Sequence, residues 1–350
     1  MAEMMKFGDF ASFRYGKMPI KKKITESGKY PIYSGYRYVG FYDEYNTEAD
    51  QLIIVARGVG GTGDVKLTKD RCYLTNLSIA ANIDSNVVLS EYLYYYFKQR
   101  SLRYLDSGSA QSQITISDLE RVMIPIPPLS DQKAICSYLK LLDGKIQNNK
   151  KINENLQQQA QAIFNNKYAP SLCSPNWVVG TIGDVVTLQR GYDLPKDKMV
   201  SGSYPVAGST DTIFYHNEYT TEAPCVVMGR SGNIGKPRLY MERCWAHNTT
   251  LFVKDFKGNN PYWSYYMLRS IDYSQFRGGS AVPTLNRNHV HSFEISIPPV
   301  SQQNEFAEII LPLLLLIENN RKEIKRLSTL REALLPKLMA GELDVSSIDL

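Results

Sequence analysis

The chain carries the same message twice. Ile126-Pro127-Pro128-Leu129-Ser130-Asp131-Gln132 returns as Ile297-Pro298-Pro299-Val300-Ser301-Gln302-Gln303, an offset of 171 residues. Arg71-Cys72-Tyr73 returns as Arg243-Cys244-Trp245, Gly108-Ser109-Ala110 as Gly279-Ser280-Ala281, and Asn148-Asn149 as Asn319-Asn320, all within one residue of that shift. Solenoids and propellers repeat every ~20–50 residues, so this longer period means a tandem duplication of whole domains. A duplicated module suits a target that is itself bipartite, such as two half-sites on a nucleic acid. The length of 350 residues is comfortable for two such domains with connectors.

Composition excludes several classes. With 43% hydrophobic and 21% charged residues the chain is neither disordered nor fibrous. Cys72, Cys136, Cys173, Cys225 and Cys244 form no CxxC pair and are odd in number, which argues against a disulfide framework or a structural zinc site and for a reducing compartment. The start, Met1-Ala2-Glu3-Met4-Met5-Lys6, lacks the apolar core of a signal peptide. The greasiest run, Ile309 to Ile317, covers 9 residues, where a membrane span needs roughly 20. The expected location is therefore the cytoplasm, with no membrane partner. A net charge of +5 is compatible with a polyanion but is shared by many proteins that bind none.

Each copy opens alike, with Lys6-Phe7-Gly8-Asp9-Phe10 matching Thr181-Ile182-Gly183-Asp184-Val185, then Gly16 matching Gly191, which reads as a first strand and turn. The β-branched runs Leu52–Ala56 and Cys225–Met228 read as strands, and Tyr92–Phe97 and Tyr262–Leu268 place aromatics at helical spacing. Each domain is therefore a mixed α+β unit. After each Pro-Pro pair a long helix follows, with Ser130 and Ser301 as N-cap candidates. Its seam steps by four and three through Ile135, Leu139, Leu142, Ile146, Asn149, Asn153, Leu156, Ala160 and Ile163. In the other copy it runs through Phe306, Ile310, Leu313, Ile317, Asn320, Ile324, Leu327, Arg331 and Leu334. A 3.5-residue step is a coiled-coil signature. Asn149 and Asn320 share a seam position and predict that the two helices pack on each other in a fixed register; Pro312 predicts a kink or start in the second.

No catalytic set emerges. Gly58, Gly60 and Gly63 spell a dinucleotide fingerprint, but Asp64-Val65-Lys66-Leu67-Thr68 reads as a strand where the fingerprint needs a helix. A glycine turn between strands, letting backbone approach a ligand closely, fits better. Asn260-Pro261-Tyr262 is one proline short of an adenine-methylation motif and reads as a helix opening. His289-x-His291 has no repeated partner, so no metal site is assigned, and no Gly-Lys-Ser/Thr phosphate loop occurs. What recurs is contact chemistry. Arg57-Gly58 through Lys66, Lys69 and Arg71 in one copy, and Arg230-Ser231 through Lys236 and Arg238 in the other, place basic side chains in glycine-bearing loops. Such loops hold phosphates, and Arg, Asn and Gln read base edges. The loops diverge where the framework does not, as in Gln111-Ser112-Gln113 against Val282-Pro283-Thr284.

In this order, duplicated and followed by paired helices, these motifs resemble the specificity subunit of type I restriction-modification enzymes. The similarity extends to the terminal Leu334-Leu335-Pro336-Lys337-Leu338-Met339-Ala340-Gly341-Glu342-Leu343. It implies a target recognition domain at 1–128, a spacer helix at 129–169, a second recognition domain at 170–299, a second spacer helix at 300–340 and a C-terminal segment at 341–350. It also implies that the helices run antiparallel and set the distance between two half-sites of double-stranded DNA. To the loop residues above it adds Asn76, Asn248, Arg277 and Arg287 as candidate DNA contacts. The chain itself would be non-catalytic and hold no cofactor. S-adenosylmethionine, ATP and Mg would sit on partner modification subunits, two of them, and on restriction subunits. The first copy lacks a counterpart of Trp177, which predicts a ragged first strand or one completed by residues after Met339. The competing readings are a stand-alone nuclease or methyltransferase, and a bivalent scaffold for protein or glycan.

Overall fold

A computed structural model describes residues 2–343 except 36, 59–60, 107–111, 170–171, 173 and 277–283. Gln111, Arg277, both Gly-Ser-Ala segments and most of 341–350 lie outside the described residues. The chain divides into two units. Unit 1 is Met1–Gln147 with Ile324–Leu350, and unit 2 is Asn148–Glu323. This division differs from the expected one, because each unit takes half of each long helix instead of leaving the helices as separate segments.

Unit 1 begins with β1 (Glu3–Lys6), α1 (Phe7–Phe10), β2 (Ala11–Tyr15), β3 (Tyr30–Ser34), β4 (Arg37–Tyr42), β5 (Leu52–Val55), β6 (Val65–Leu67), β7 (Tyr73–Leu74) and β8 (Ser78–Ile83). It continues with α2 (Ser90–Gln99), α3 (Ile116–Glu120), β9 (Met123–Ile126) and the first part of α4 (Leu129–Lys167). Unit 2 repeats the order with β10 (Val178–Thr181), α5 (Ile182–Val185), β11 (Thr187–Arg190), β12 (Ser201–Ala207), β13 (Thr212–His216), β14 (Cys225–Gly229), β15 (Gly235–Tyr240), β16 (Trp245–Ala246) and β17 (Thr250–Asp255). Then come α6 (Pro261–Ser270), α7 (Arg287–His291), β18 (Glu294–Ile297) and α8 (Val300–Met339). The sheets repeat as well: β2-β8-β5-β6 matches β11-β17-β14-β15, β4-β3-β7 matches β13-β12-β16, and β1-β9 matches β10-β18.

The central strands explain their apolar runs. Alternate residues of a strand face opposite sides. In β5, Leu52 and Ile54 join one core while Ile53 faces a second with Cys72, Leu74 and Ala80. In β14, Val226 and Met228 face the main core, and Cys225 and Val227 the other. Both faces are covered, so no polar alternation is visible. The main core of unit 1 takes in Ile135 and Leu139 from the start of α4 and Leu338 and Met339 from the end of α8. That of unit 2 takes in Phe164 from the end of α4, Tyr168 just beyond it, and Phe306 and Ile310 from the start of α8. Phe164 sits 5.4 Å from the ring of Phe306 and 5.9 Å from that of Tyr266.

Several expectations are corrected. The opening segment is not a plain strand and turn, since one helical turn intervenes, closed by Asp184 Oδ2 accepting from the Thr181 N–H at 2.8 Å. β1 pairs with β9 over its whole length, as β10 does with β18, so the first strand is not ragged; most of the segment expected to complete it lies outside the described residues. Ser130 and Ser301 lie inside helices that begin at Leu129 and Val300 and are not N-caps. α8 runs through Pro312 and does not start there; Pro312 and Glu308, whose carbonyl loses its helical donor, are both exposed.

The seam is also re-registered. Leu139, Leu142, Ile146 and Leu156 are buried, as are Ile310 and Ile317, while Ile324 and Leu327 are half-buried and Leu314 replaces Leu313 as the buried residue. Asn149 donates to Glu323 Oε2 at 3.0 Å and is not fully buried. The buried amide pair is Asn153 with Asn320, Oδ1 of the first accepting from Nδ2 of the second at 2.9 Å. In an antiparallel pair the partner's number falls as the first rises, so equal offsets do not face each other. Replacing Asn320 by Leu is expected to cost unit 2 about 1–2 kcal/mol by stranding Asn153. The Asn153→Leu/Asn320→Leu double should recover most of that loss. Urea unfolding followed by tryptophan fluorescence checks this, because Trp177, Trp245 and Trp263 all lie in unit 2.

Candidate nucleic-acid interface

Unit 2 opens a concavity of about 520 Å³ at one end of its four-stranded sheet. β11 terminates at Arg190, opposite Leu251 of β17. β14 leads into Arg230, whose N–H donates to Thr249 O at 2.9 Å and whose carbonyl accepts from Leu285 N at 2.8 Å. Ser231 bridges Thr284. Asn286 caps α7 by accepting from Asn288 N at 3.0 Å, which sets Arg287 at the helix start. Arg190, Arg230, Arg287, Thr284 and Asn286 line the concavity. Among the described residues none of the three guanidiniums forms an ion pair. Three uncompensated cations around one hollow make an anion-attracting surface with forks suited to phosphate or base edges. His291 anchors α7 below it. Its Nε2 accepts from Leu188 N at 2.9 Å, and burial first, then Lys257 and Arg287, hold its pKa below the usual histidine value. It is a satisfied structural histidine, not a ligand.

Unit 1 builds the same edge with other side chains. Ala56 and Arg57 donate N–H to Leu77 O at 2.9 and 3.2 Å, Ala56 O accepts from Ile114 N, and Arg57 bridges Gln113. By this pattern Arg57 stands where unit 2 has Ser231, and Arg230 stands where unit 1 has Ala56. The two arginines are therefore displaced by one position and are not equivalent, as comparable loops had suggested. A strand's alternation turns such neighbours to opposite sides. Tyr15 ends β2 where Arg190 ends β11, each followed by a glycine that has no room for a Cβ: one would lie 2.2 Å from Leu74 O at Gly16 and 2.1 Å from His247 O at Gly191.

The hairpin glycines divide in role. Gly63 and Gly235, with φ of 86° and 72°, are pressed against their own chain, where a Cβ would come within 2.6 Å of Arg103 N and 2.5 Å of the Tyr273 ring. Gly58 and Gly232, with φ of 138° and 76°, have open space before them. Close approach to a ligand is thus open at the outer pair, while the inner pair serves internal packing.

The remaining candidates scatter. Asn76 precedes the shared Leu77 carbonyl, and its Oδ1 is buried with no hydrogen-bond partner among the described residues. Its counterpart Asn248 donates to Asp193 Oδ1 at 2.5 Å. Lys66 lies on β6 with its ammonium 5.8 Å from the Tyr33 ring, and burial, then Lys98, lower its pKa. β6 leads away from Arg57, pairing Val65 with Ile54 and Leu67 with Leu52, so Lys69 and Arg71 stand at the opposite end of the hairpin. Arg71 is held by Glu48 at 2.8 Å. Lys236 is exposed beside Gly235, with φ of 54°. Arg238 turns inward to Gly208 O. The structure therefore gathers Arg57, Gln113 and Asn76 on one edge in unit 1, and Arg230, Ser231 and Arg287 in unit 2. Sequence reasoning missed Arg190, although its place just before the repeated Gly191 was the available signal.

The family profile described as the type I restriction modification DNA specificity domain matches residues 2–158 and again 175–329. The type I restriction enzyme MjaIX specificity subunit of Methanocaldococcus jannaschii is 26% identical over 326 residues, covering 78% of this chain and 74% of that protein. The putative type I specificity subunit S.MgeORF438P of Mycoplasma genitalium is 23% identical over 355 residues, covering 92% and 90%. The crystal structure of the type I restriction-modification system S subunit from M. genitalium superposes with a TM-score of 0.69 at 19% identity, over 96% of this chain and 95% of that one. No helix among the described residues is long and apolar enough to cross a membrane.

Proposed function

Since the chain belongs to the type I restriction-modification DNA specificity family, we infer that its two units read two separate halves of one DNA target. The chain is the sequence-specific DNA-binding subunit of such a system and is not itself an enzyme. The observation that carries the two-half reading is the edge described above: one backbone frame, built twice, presents Arg57 and Gln113 in one unit and Ser231, Thr284, Arg230 and Arg287 in the other. A duplicated frame with identical contacts would suit a repeated target. Contacts that differ on a common frame suit two unlike half-sites. The long helices, which run unbroken through the division between the units, set the spacing of the half-sites in this reading.

Methyl transfer from S-adenosylmethionine then falls to modification subunits recruited by this chain, one for each half-site, and ATP- and Mg-dependent cleavage to restriction subunits. The test is co-expression. The purified chain alone is expected to bind duplex DNA with affinity that falls steeply as salt rises, and to methylate nothing. Together with its modification subunit it should produce adenine methylation at one bipartite motif. Methyl transfer by the lone chain would contradict the reading.

A further inference from the structure

An exposed cluster is built twice, in the same geometry. In unit 1, Arg71 Nε lies 2.8 Å from Glu48 Oε2, its guanidinium is 4.7 Å from the Tyr45 ring centre, and Tyr45 lies 5.0 Å from Tyr30. In unit 2, Arg243 Nε lies 2.7 Å from Glu222 Oε2, its guanidinium is 4.6 Å from the Tyr219 ring centre, and Tyr219 lies 5.0 Å from Tyr204. The sequence around them is shared too, Glu44-Tyr45-Asn46-Thr47-Glu48-Ala49 against Glu218-Tyr219-Thr220-Thr221-Glu222-Ala223. These side chains are open to solvent: Arg71 and Glu48 are each 54% exposed, Arg243 47% and Glu222 66%.

Burial explains a repeated core residue, but exposed ion pairs contribute little to stability and are free to drift. The reading edges of the two units have diverged; this patch has not. A surface held alike in both copies meets something that is alike for both. The DNA backbone is one such thing, yet the guanidinium here is already committed to a carboxylate in both units, and Glu218 adds further negative charge in unit 2, while Glu44 in unit 1 is matched by Lys23 at 4.0 Å. The cluster also stands at the end of the β5–β6 hairpin away from Arg57. Tyrosine and arginine together are the residue types enriched at protein–protein contacts.

We propose that Tyr45–Glu48–Arg71 and Tyr219–Glu222–Arg243 are twin docking sites, each taking one copy of the same protein partner. Resting on the functional reading above, that partner is the modification subunit, meeting each site with an oppositely ordered acidic and basic pair around an apolar edge.

The experiment counts partner copies by native mass spectrometry on the full chain co-purified with its modification subunit. The wild-type chain is expected to carry two. The swap Glu48→Arg/Arg71→Glu keeps an ion pair within the fold but reverses the polarity offered to a partner, and is expected to leave one copy. Glu222→Arg/Arg243→Glu should also leave one, and the combined swap none, with DNA affinity of the isolated chain within twofold of wild type. Tyr45→Ser and Tyr219→Ser, which leave both ion pairs in place, should give the same losses and serve if a swap disturbs folding. Swapped and Ser-substituted chains that still carry two copies overturn the docking sites alone. A wild-type chain that recruits no modification subunit overturns the functional reading and the docking sites together.

Discussion

Replacing Gln132 by Leu is expected to destabilise unit 1 by roughly 3 kcal/mol or more, and Gln303→Leu to do the same to unit 2. Gln132 is fully buried; its Oε1 accepts from Leu89 N at 2.8 Å, and its Nε2 donates to Val87 O at 3.0 Å and Pro127 O at 2.8 Å. Gln303 repeats this, accepting from Asn260 N and donating to Asn259 Oδ1 and Pro298 O. Each amide thus ties the start of an aromatic helix to the Pro-Pro exit of the domain. Leucine of similar volume leaves three polar groups, most of them partly buried, without the amide that serves them, each worth about 1–3 kcal/mol when left unpaired out of reach of water. Tryptophan fluorescence reports on unit 2 only, since unit 1 holds no tryptophan. The Gln303 change should therefore move the fluorescence midpoint in urea strongly and the Gln132 change much less, with far-UV circular dichroism recording the latter. An unshifted midpoint for Gln303→Leu would remove the amide from the account.

The second large effect is on binding. Substituting Arg190, Arg230 and Arg287 together by alanine is expected to weaken DNA binding by about 3 kcal/mol, roughly a hundredfold, taking the low end of the ~1–3 kcal/mol per bidentate base contact. Specificity should relax on one half of the target alone. Equal loss on all sequences, with a shallower salt dependence, would assign these arginines to phosphates. Unchanged affinity would remove the concavity from the interface. Arg57→Ala should act in the same way, by about 1–3 kcal/mol, on the other half.

Fold was more legible than site, for physical reasons. The duplication, the aromatic helices and the paired long helices each leave a periodic or repeated trace, so their existence could be read from the chain. Register could not. Asn149 and Asn320 share a seam position in the sequence, but an antiparallel pair brings Asn153 to Asn320, and that depends on which end of one helix meets which end of the other. The closing role of Gln132 and Gln303 was hidden in the same way, since both stood in the quoted repeat while two of the three partners of each lie more than 40 residues away. At the reading edge, a shift of one residue between Arg57 and Arg230 is invisible without the backbone bonds to Leu77 and Thr249. Arg71, a plausible DNA contact by charge, proved to be engaged by Glu48.

The central claim, two independent readers on one chain, is tested most directly by sequencing the methylated motif of a chimera. Residues 1–128 would be exchanged for those of a relative, together with the relative's residues at positions 135, 139, 338 and 339, because Ile135, Leu139, Leu338 and Met339 complete the core of unit 1. Two independent readers predict a motif with one half replaced and the other half intact. A chimera that methylates efficiently with both halves altered, or with neither, would contradict the claim.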